Sequence, residues 1–243
     1  MIGMIVTAHQ PAYLPWLGLF HKIAISDYYV YLDTVQFEKN SFINRNKLVS
    51  DQEAIWLTVP VHHKGHFETS ISDIQINNNL KWKKKHWLSI YYNYKSSRYF
   101  DKYSPFIEEV YSREWDSLAD LNYEMMKWYL NVLRINVPII RASEQSFIGQ
   151  KNELLINITK QLNSDIFIFG SLGENYADRE LFYQSGIYPY FQKYNHPIYT
   201  QQNQNFLPYM SVLDLLFNEG PDALNIILKG NISKNELLKK RSD

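Results

Sequence analysis

The sequence contains no cysteine. Disulfides, cysteine-ligated zinc, thiolate nucleophiles and acyl transfer through a cysteine thioester are therefore excluded. The 25 basic and 25 acidic residues leave no net charge, so the composition gives no electrostatic argument for binding long nucleic acid. No apolar run approaches the roughly 18–20 residues that a membrane span needs, and no signal-peptide pattern precedes the first predicted strand. We therefore expect a cytoplasmic protein.

What is present predicts an α/β fold. Predicted strands alternate with helical stretches, which favours a mainly parallel sheet with flanking helices in a single domain over residues 1–243. A long helical region over residues 82–133 is expected to form an insertion or lid. Polar residues 40–47 suggest a loop. The strands are predicted at residues 1–8, 28–37, 54–61, 137–143, 165–171 and 187–194.

The loop after the first strand is the leading candidate site. It reads TAHQPAYLPW over residues 7–16 and carries His9, Gln10, Tyr13 and Trp16. In open α/β sheets ligands bind beyond the carboxyl ends of the strands, and a histidine there supplies a titratable group. The alternative is a structural loop in which His9 caps the helix or binds a buried carbonyl.

Polar residues also follow the second predicted strand. They suit a sugar or a nucleotide, with arginine and lysine on phosphate, although a solvated turn would look the same. Lys64, in the later stretch HHKG, is a further candidate phosphate ligand. The residues after the second strand are Asp33, Gln36, Asn40, Asn44, Arg45 and Lys47.

The loop GSLGENY follows a buried strand of the second half. Gly170 and Gly173 would let a ligand approach the backbone closely, with Ser171 and Tyr176 beside it. Ser171 does not lie in a G-x-S-x-G nucleophile elbow, because Phe169 occupies the first glycine position.

His196 and Asp214 are candidate partners for His9. His196 and Tyr199 lie in NHPIYTQ after the last strand, so His9 and His196 at one sheet edge would supply a base and an acid. Asp214 lies on an apolar helical face, where a buried carboxylate needs an imidazole or arginine partner. The alternative for Asp214 is a structural hydrogen bond.

Two basic or histidine-rich clusters carry weaker signals. Lys83–Lys85 do not all share one helical face, so we expect them not to act as one surface, and a solvated face explains them equally well. His62, His63 and His66 read H-H-x-x-H, which lacks the firmer spacing of a compact zinc site. We assign no metal ligands, and the sequence does not identify a cofactor.

The ordered blocks of the sequence resemble the WbqC-like family of bacterial O-antigen and surface-polysaccharide gene clusters. The resemblance runs from about residue 5 to 221. In that family the loop at residues 170–176 is closer to GPSGRDY, so Glu174 here replaces a basic residue and puts an anion-binding role in doubt. The blocks are HQPAYLPWLGLFHKI, YLDTVQFEKNSFINRNK, WLTVPV, HHKG, WKKKHW, FGSLGENYAD, YNHPIYTQ and YMSVLDLLFNEGP.

The resemblance implies a role in surface-glycan assembly. A strand, a histidine-bearing loop and a helix also look like the opening of nucleotidylyltransferase-type domains, but the second histidine of their H-x-G-H pair is missing, so this is an analogy of fold alone. We expect acyl or aminoacyl transfer, for example of glycine, from an activated donor to the amine of a nucleotide-linked sugar. The alternatives are a nucleotidyl- or glycosyltransferase and a non-catalytic sugar-nucleotide-binding protein.

Overall fold

The computed structural model describes residues 3–50, 53–62, 69–202 and 205–242. Strands and helices alternate along much of this chain, as the sequence predicts. The strands of the described residues are β1 (Ile5–His9), β2 (Tyr28–Tyr31), β3 (Arg45–Ser50), β4 (Glu53–Thr58), β5 (Ile139–Arg141), β6 (Ile166–Phe169) and β7 (Tyr188–Phe191). The α-helices are α1 (Leu17–Ala24), α2 (Trp82–Tyr94), α3 (Phe100–Ser112), α4 (Leu118–Val132), α5 (Lys151–Gln161), α6 (Arg179–Gln184), α7 (Val212–Glu219), α8 (Ala223–Leu228) and α9 (Lys234–Ser242).

Five strands form a parallel sheet in the order β5-β2-β1-β6-β7. Strand β1 lies in the middle and pairs with β2 through Val6–Tyr28 and with β6 through Val6–Phe167. The fold class predicted from the alternation of strands and helices is therefore confirmed.

Both faces of the sheet are buried, which explains the nearly continuous apolar character of its strands. On one face, Val6 and Phe167 pack with Ile158 of α5 and Phe182 of α6. On the other face, Ile5 and Ile168 pack with residues that include Leu237 of α9, while Tyr29 and Tyr31 join the large core of the helical region. The structure is thus a sheet between two helical layers.

The hairpin of β3 and β4 differs from the sequence expectation. The sequence predicts a loop at residues 40–47 and the third strand at residues 54–61. Instead, β3 and β4 pair antiparallel with each other in a separate two-stranded sheet, with Lys47 opposite Trp56. The second predicted strand, over residues 28–37, is also wrong in extent, because β2 ends at Tyr31.

The helical region predicted over residues 82–133 consists of α2, α3 and α4, which follow the hairpin and precede β5; that it forms an insertion or lid stays a prediction. None of the helices described combines the length and apolarity that crossing a bilayer requires. That the whole chain forms one domain stays a prediction.

Asp33 ties the carboxyl ends of β2 and β5 together. Its side chain is fully buried, and its two oxygens accept hydrogen bonds from Arg141 Nε (2.6 Å), Ser143 N (2.9 Å) and Ser143 Oγ (2.8 Å). Arg141 also pairs with Asp120 on α4, at 2.7 Å. These contacts occupy the carboxylate and give Asp33 a structural role at the sheet edge, whereas the ligand contact expected from its position stays a prediction.

We predict that Asp33→Ala lowers the free energy of unfolding by about 3–5 kcal/mol, because it leaves a partly buried arginine short of its counter-charge. The matched control is Asp120→Ala, which removes the half-exposed partner of the same arginine and should cost less than about 1 kcal/mol. Urea unfolding measures both. Equal, small losses would mean that Asp33 is not a structural clamp.

Candidate active site

The sheet has its topological switch point between β1 and β6. From β1 the chain builds outward through β2 and β5 on one side and then returns to build β6 and β7 on the other. Ligands of open α/β proteins bind in the crevice outside the carboxyl ends of the strands at such a point. In this sheet the switch point lies beside His9, which ends β1, and Gly170, which directly follows β6. A Cβ added to Gly170 would meet no atom within 4 Å, so the space beside it is open.

His9 presents a free ring nitrogen at this point. Its Nδ1 lies 2.7 Å from the carbonyl oxygen of Gln10. Because a carbonyl only accepts, Nδ1 carries the hydrogen and Nε2 keeps its lone pair. Burial, then the positive charge of Lys22, lower the pKa of His9 to about 3. His9 is therefore a neutral imidazole at pH 7, and Nε2 has no hydrogen-bond partner among the residues that the structure describes.

Lys22 binds the backbone near the end of β1. It lies on α1, is 2 % exposed, and its Nζ donates to the carbonyl oxygen of Ala8 at 3.1 Å. No carboxylate pairs with it within the described part of the chain. Burial without a counter-charge lowers the pKa of Lys22 to about 7, because desolvation disfavours the ammonium form.

Four neighbouring rings form a continuous series that begins with the imidazole of His9. The ring centroids of His9 and Trp16 are 5.3 Å apart, those of Trp16 and Phe42 are 5.4 Å apart, and those of Phe42 and Trp56 are 5.9 Å apart. Phe42 is 46 % exposed and Trp56 is 44 % exposed. We call His9, Trp16, Phe42 and Trp56 the aromatic row. Exposed ring faces of this kind can stack on a base or pack against a sugar.

Two cations cap the far end of the aromatic row. The guanidinium carbon of Arg45 lies 4.5 Å, and Nζ of Lys47 lies 5.0 Å, from the ring centroid of Trp56. Both point to the same side because they are two residues apart on β3. Arg45 Nη2 also donates to the carbonyl oxygen of Asn40 at 2.5 Å, while its buried Nε has no partner. The two phosphate candidates thus lie on the hairpin and not, as expected, at the edge of the main sheet.

His196 differs from His9 because both of its ring nitrogens are engaged. Nδ1 lies 2.8 Å from the carbonyl oxygen of Pro197, and Nε2 accepts from the backbone N–H of Tyr209 at 3.2 Å. Its pKa is lowered by burial. No contact joins it to His9 among the described residues. Its neighbourhood reaches the aromatic row through Ser211, which forms an antiparallel bridge with Trp16.

Asp214 and Tyr199 belong to one buried hydrogen-bonded group. Asp214 Oδ2 accepts from the Tyr199 hydroxyl and from Gln201 Nε2, both at 2.7 Å. Burial raises the pKa of Asp214. The expected imidazole or arginine partner is wrong: tyrosine and glutamine supply the donors. These hydrogen bonds attach the segment before α7 to that helix, which is a structural role.

Several other sequence candidates have structural roles. The Tyr13 hydroxyl is buried against Tyr111 and His86 Nδ1, the latter at 2.7 Å. Asn44 Nδ2 donates to the Val59 carbonyl at 2.8 Å. A Cβ on Gly173 would collide with the Phe169 side chain, so glycine is needed there for packing.

The remaining candidates are accessible. Gln10 is half-buried beside His9, whereas Gln36, Asn40, Ser171 and Tyr176 are exposed. Lys64, His63 and His66 lie outside the described residues. In the part of the chain that the structure describes, no three histidine, aspartate or glutamate side chains are grouped so that they could hold a metal ion.

Sequence reasoning missed Lys22, Phe42 and Trp56. The sequence contains a signal for Lys22, because it is a lysine inside the apolar stretch LGLFHKIA. In the structure, all residues of this helix from Leu17 to Ile23 are buried. Phe42 and Trp56 carried no comparable signal, because their approach depends on the hairpin.

The fold defines the class of protein: this is an α/β protein with a five-stranded parallel sheet whose switch point lies between β1 and β6. The chain belongs to the WbqC-like protein family, whose pattern matches residues 10–226. It is similar to the uncharacterized protein Rv1507c of Mycobacterium tuberculosis, with 30% identity over 216 residues that cover 88% of this chain and 93% of that protein. No solved structure matches it.

We predict that Lys22 makes stability depend on pH. Its pKa falls from the ordinary 10.5 to about 7 on folding, so between these values the unfolded chain binds more protons and the free energy of unfolding rises with pH, by up to ~1.4 kcal/mol per pH unit. Lys22→Met removes this contribution. The variant should therefore be more stable than wild type at pH 7, and the difference should shrink as the pH rises.

Urea unfolding of wild type and Lys22→Met between pH 7 and pH 10.5 measures this difference. Lys229→Met, at an exposed lysine, is the control and should follow the wild-type curve. Parallel curves for wild type and Lys22→Met would contradict a buried lysine that loses its proton on folding.

Proposed function

We propose that this protein is an enzyme of bacterial surface-polysaccharide assembly that acts in the cytoplasm. In this proposal it transfers an acyl or aminoacyl group to the amine of a nucleotide-linked amino sugar. Membership in the WbqC-like family, with the resemblance to proteins of O-antigen gene clusters, supports the pathway. The observation that carries the chemistry is the unprotonated Nε2 of His9 at one end of a row of rings that ends at two cations.

The aromatic row suits an extended ligand with a polar and a charged end. The sugar amine lies at His9, the sugar or base packs on Trp16 and Phe42, and the diphosphate reaches Arg45 and Lys47. Arginine binds phosphate through two parallel hydrogen bonds, whereas lysine acts as a point charge.

The reaction consists of one bond formed and one bond broken. The neutral sugar amine attacks the carbonyl carbon of an activated acyl donor, either a thioester or an ester. The C–N bond forms, and the C–S or C–O bond of the donor breaks. His9 Nε2 takes the proton that the amine loses and delivers it to the departing thiolate or alkoxide, so the enzyme returns to its starting state.

A base with a pKa near 3 accepts a proton poorly, and a general base is most effective when its pKa lies near the working pH. Burial is the largest cause of the low pKa of His9, and the charge of Lys22 is the second. Because the pKa of Lys22 is itself about 7, loss of the Lys22 proton removes the second cause and raises the pKa of His9. His196 is less suited to the role, because its Nε2 already accepts from Tyr209 N.

The test is turnover with a panel of nucleoside-diphosphate amino sugars and acyl donors, followed by mass spectrometry of the acylated sugar. His9→Ala should lower kcat/KM by roughly 10²–10⁴-fold, the usual worth of a general base, with little change in the free energy of unfolding. His196→Ala is the matched comparison and should keep activity within about 10-fold.

Other outcomes would replace the proposal. Binding of a sugar nucleotide without turnover would make the protein a sugar-nucleotide-binding protein, and transfer of a nucleotidyl or glycosyl group would change the reaction class. If His196→Ala abolishes turnover and His9→Ala does not, the base is His196.

A further inference from the structure

Helix α2 has two different faces. Its inner face is buried at every fourth position, through Trp82, His86, Ile90 and Tyr94. Its outer face surrounds an open depression of about 440 Å³. The depression is lined by Lys81, Lys84, Lys85, Leu88, Ser89 and Tyr92. The structure agrees with the sequence expectation that the three lysines do not all share one face. Lys83 pairs with Glu114, whereas Lys84 and Lys85 line the depression.

Large apolar side chains project from this outer face and its flanks. Leu80 is 55 % exposed, Leu88 is 37 %, Tyr91 is 38 % and Tyr92 is 65 %. One exposed leucine or tyrosine is ordinary, but four within about three helical turns form a patch that marks an interaction surface.

The same face carries positive charge without compensation. Lys81, Lys84 and Lys85 have no carboxylate within salt-bridge distance among the described residues. Lys95 Nζ lies 5.4 Å from the ring centroid of Tyr92 and 5.8 Å from that of Tyr91. Since the chain as a whole has no net charge, this patch is a local segregation of positive charge. We call Leu80, Lys81, Lys84, Lys85, Leu88, Tyr91, Tyr92 and Lys95 the α2 patch.

We propose that the α2 patch binds the surface of an anionic phospholipid bilayer. The lysines would contact the lipid phosphates, while the leucines and tyrosines enter the boundary between headgroups and acyl chains. Lysines near an anionic membrane surface are attracted to it, and apolar side chains gain by entering the boundary between headgroups and acyl chains. A free phosphate would account for the lysines but would leave Leu80 and Leu88 exposed, so a bilayer fits the whole patch better.

The rigid packing of α2 gives this contact a consequence for the site. Tyr94 of α2 accepts a hydrogen bond from Val49 N of β3 at 3.1 Å. The helix is thereby fixed to the hairpin that carries Arg45 and Lys47. Binding through the α2 patch would hold the candidate active site close to a membrane surface. This proposal does not depend on the acyl-transfer reaction.

The test is co-sedimentation of the full chain with vesicles of equal parts phosphatidylglycerol and phosphatidylcholine, compared with phosphatidylcholine alone. The wild type should bind the anionic vesicles, and added salt should weaken that binding. At about 1 kcal/mol per lysine near the surface, Lys84→Ala with Lys85→Ala should weaken it roughly 25-fold. Leu88→Ser with Tyr92→Ser should also weaken it, and circular dichroism checks that each variant is folded.

The control is Lys239→Ala with Lys240→Ala, a pair of exposed lysines on α9 that removes the same charge from another surface. It should bind as the wild type does. Three results would overturn the proposal: no binding to anionic vesicles, an equal loss in the control, or a loss on adding inorganic phosphate that sodium chloride at the same ionic strength does not cause. The last would indicate a pocket for a small anion.

Discussion

The two-sided hydrogen bonding of β1 is the constraint on which the rest of the structure depends. The strand is paired in parallel with β2 on one side and β6 on the other, and Ile5, Val6 and Thr7 are completely buried. A strand fixed along both edges cannot shift its register without breaking two ladders. The position of its last residue, His9, at the switch point of the sheet is therefore set by the two neighbouring strands.

Hydrogen bonds from the loop between β1 and α1 fix the hairpin relative to β1. Tyr13 N donates to the Phe42 carbonyl at 2.9 Å, and Asn46 Nδ2 donates to the Leu14 carbonyl at 2.6 Å. On the far side, Ser211 N donates to the Lys47 carbonyl at 3.1 Å. These bonds hold two separate sheets against each other, and the aromatic row bridges the join. The two prolines of this loop limit its backbone freedom, which suits a rigid connection.

The sequence predicts the parallel sheet well because apolar runs separated by amphipathic stretches determine that architecture locally. It does not predict the hairpin, because the polar residue Asn46 occupies a buried position of β3. The alternation of apolar and polar residues that is typical of a strand is therefore missing there. The structural role of Asp33 is not predicted for a related reason: its partner Arg141 lies 108 residues away, and no local pattern shows a pairing of that range. The position of His9 was predictable, but its tautomer and the lysine beneath it follow from tertiary contacts.

The central claim is that His9 and the hairpin cations act on one ligand. Nitrogen-15 NMR measures this most directly, by following the His9 ring nitrogens and the Trp56 indole N–H during titration with a nucleoside-diphosphate amino sugar. The account predicts that His9 Nε2 starts unprotonated, and that both signals shift together with one dissociation constant. A shift of Trp56 while His9 stays unchanged, or two different dissociation constants, would contradict a shared site.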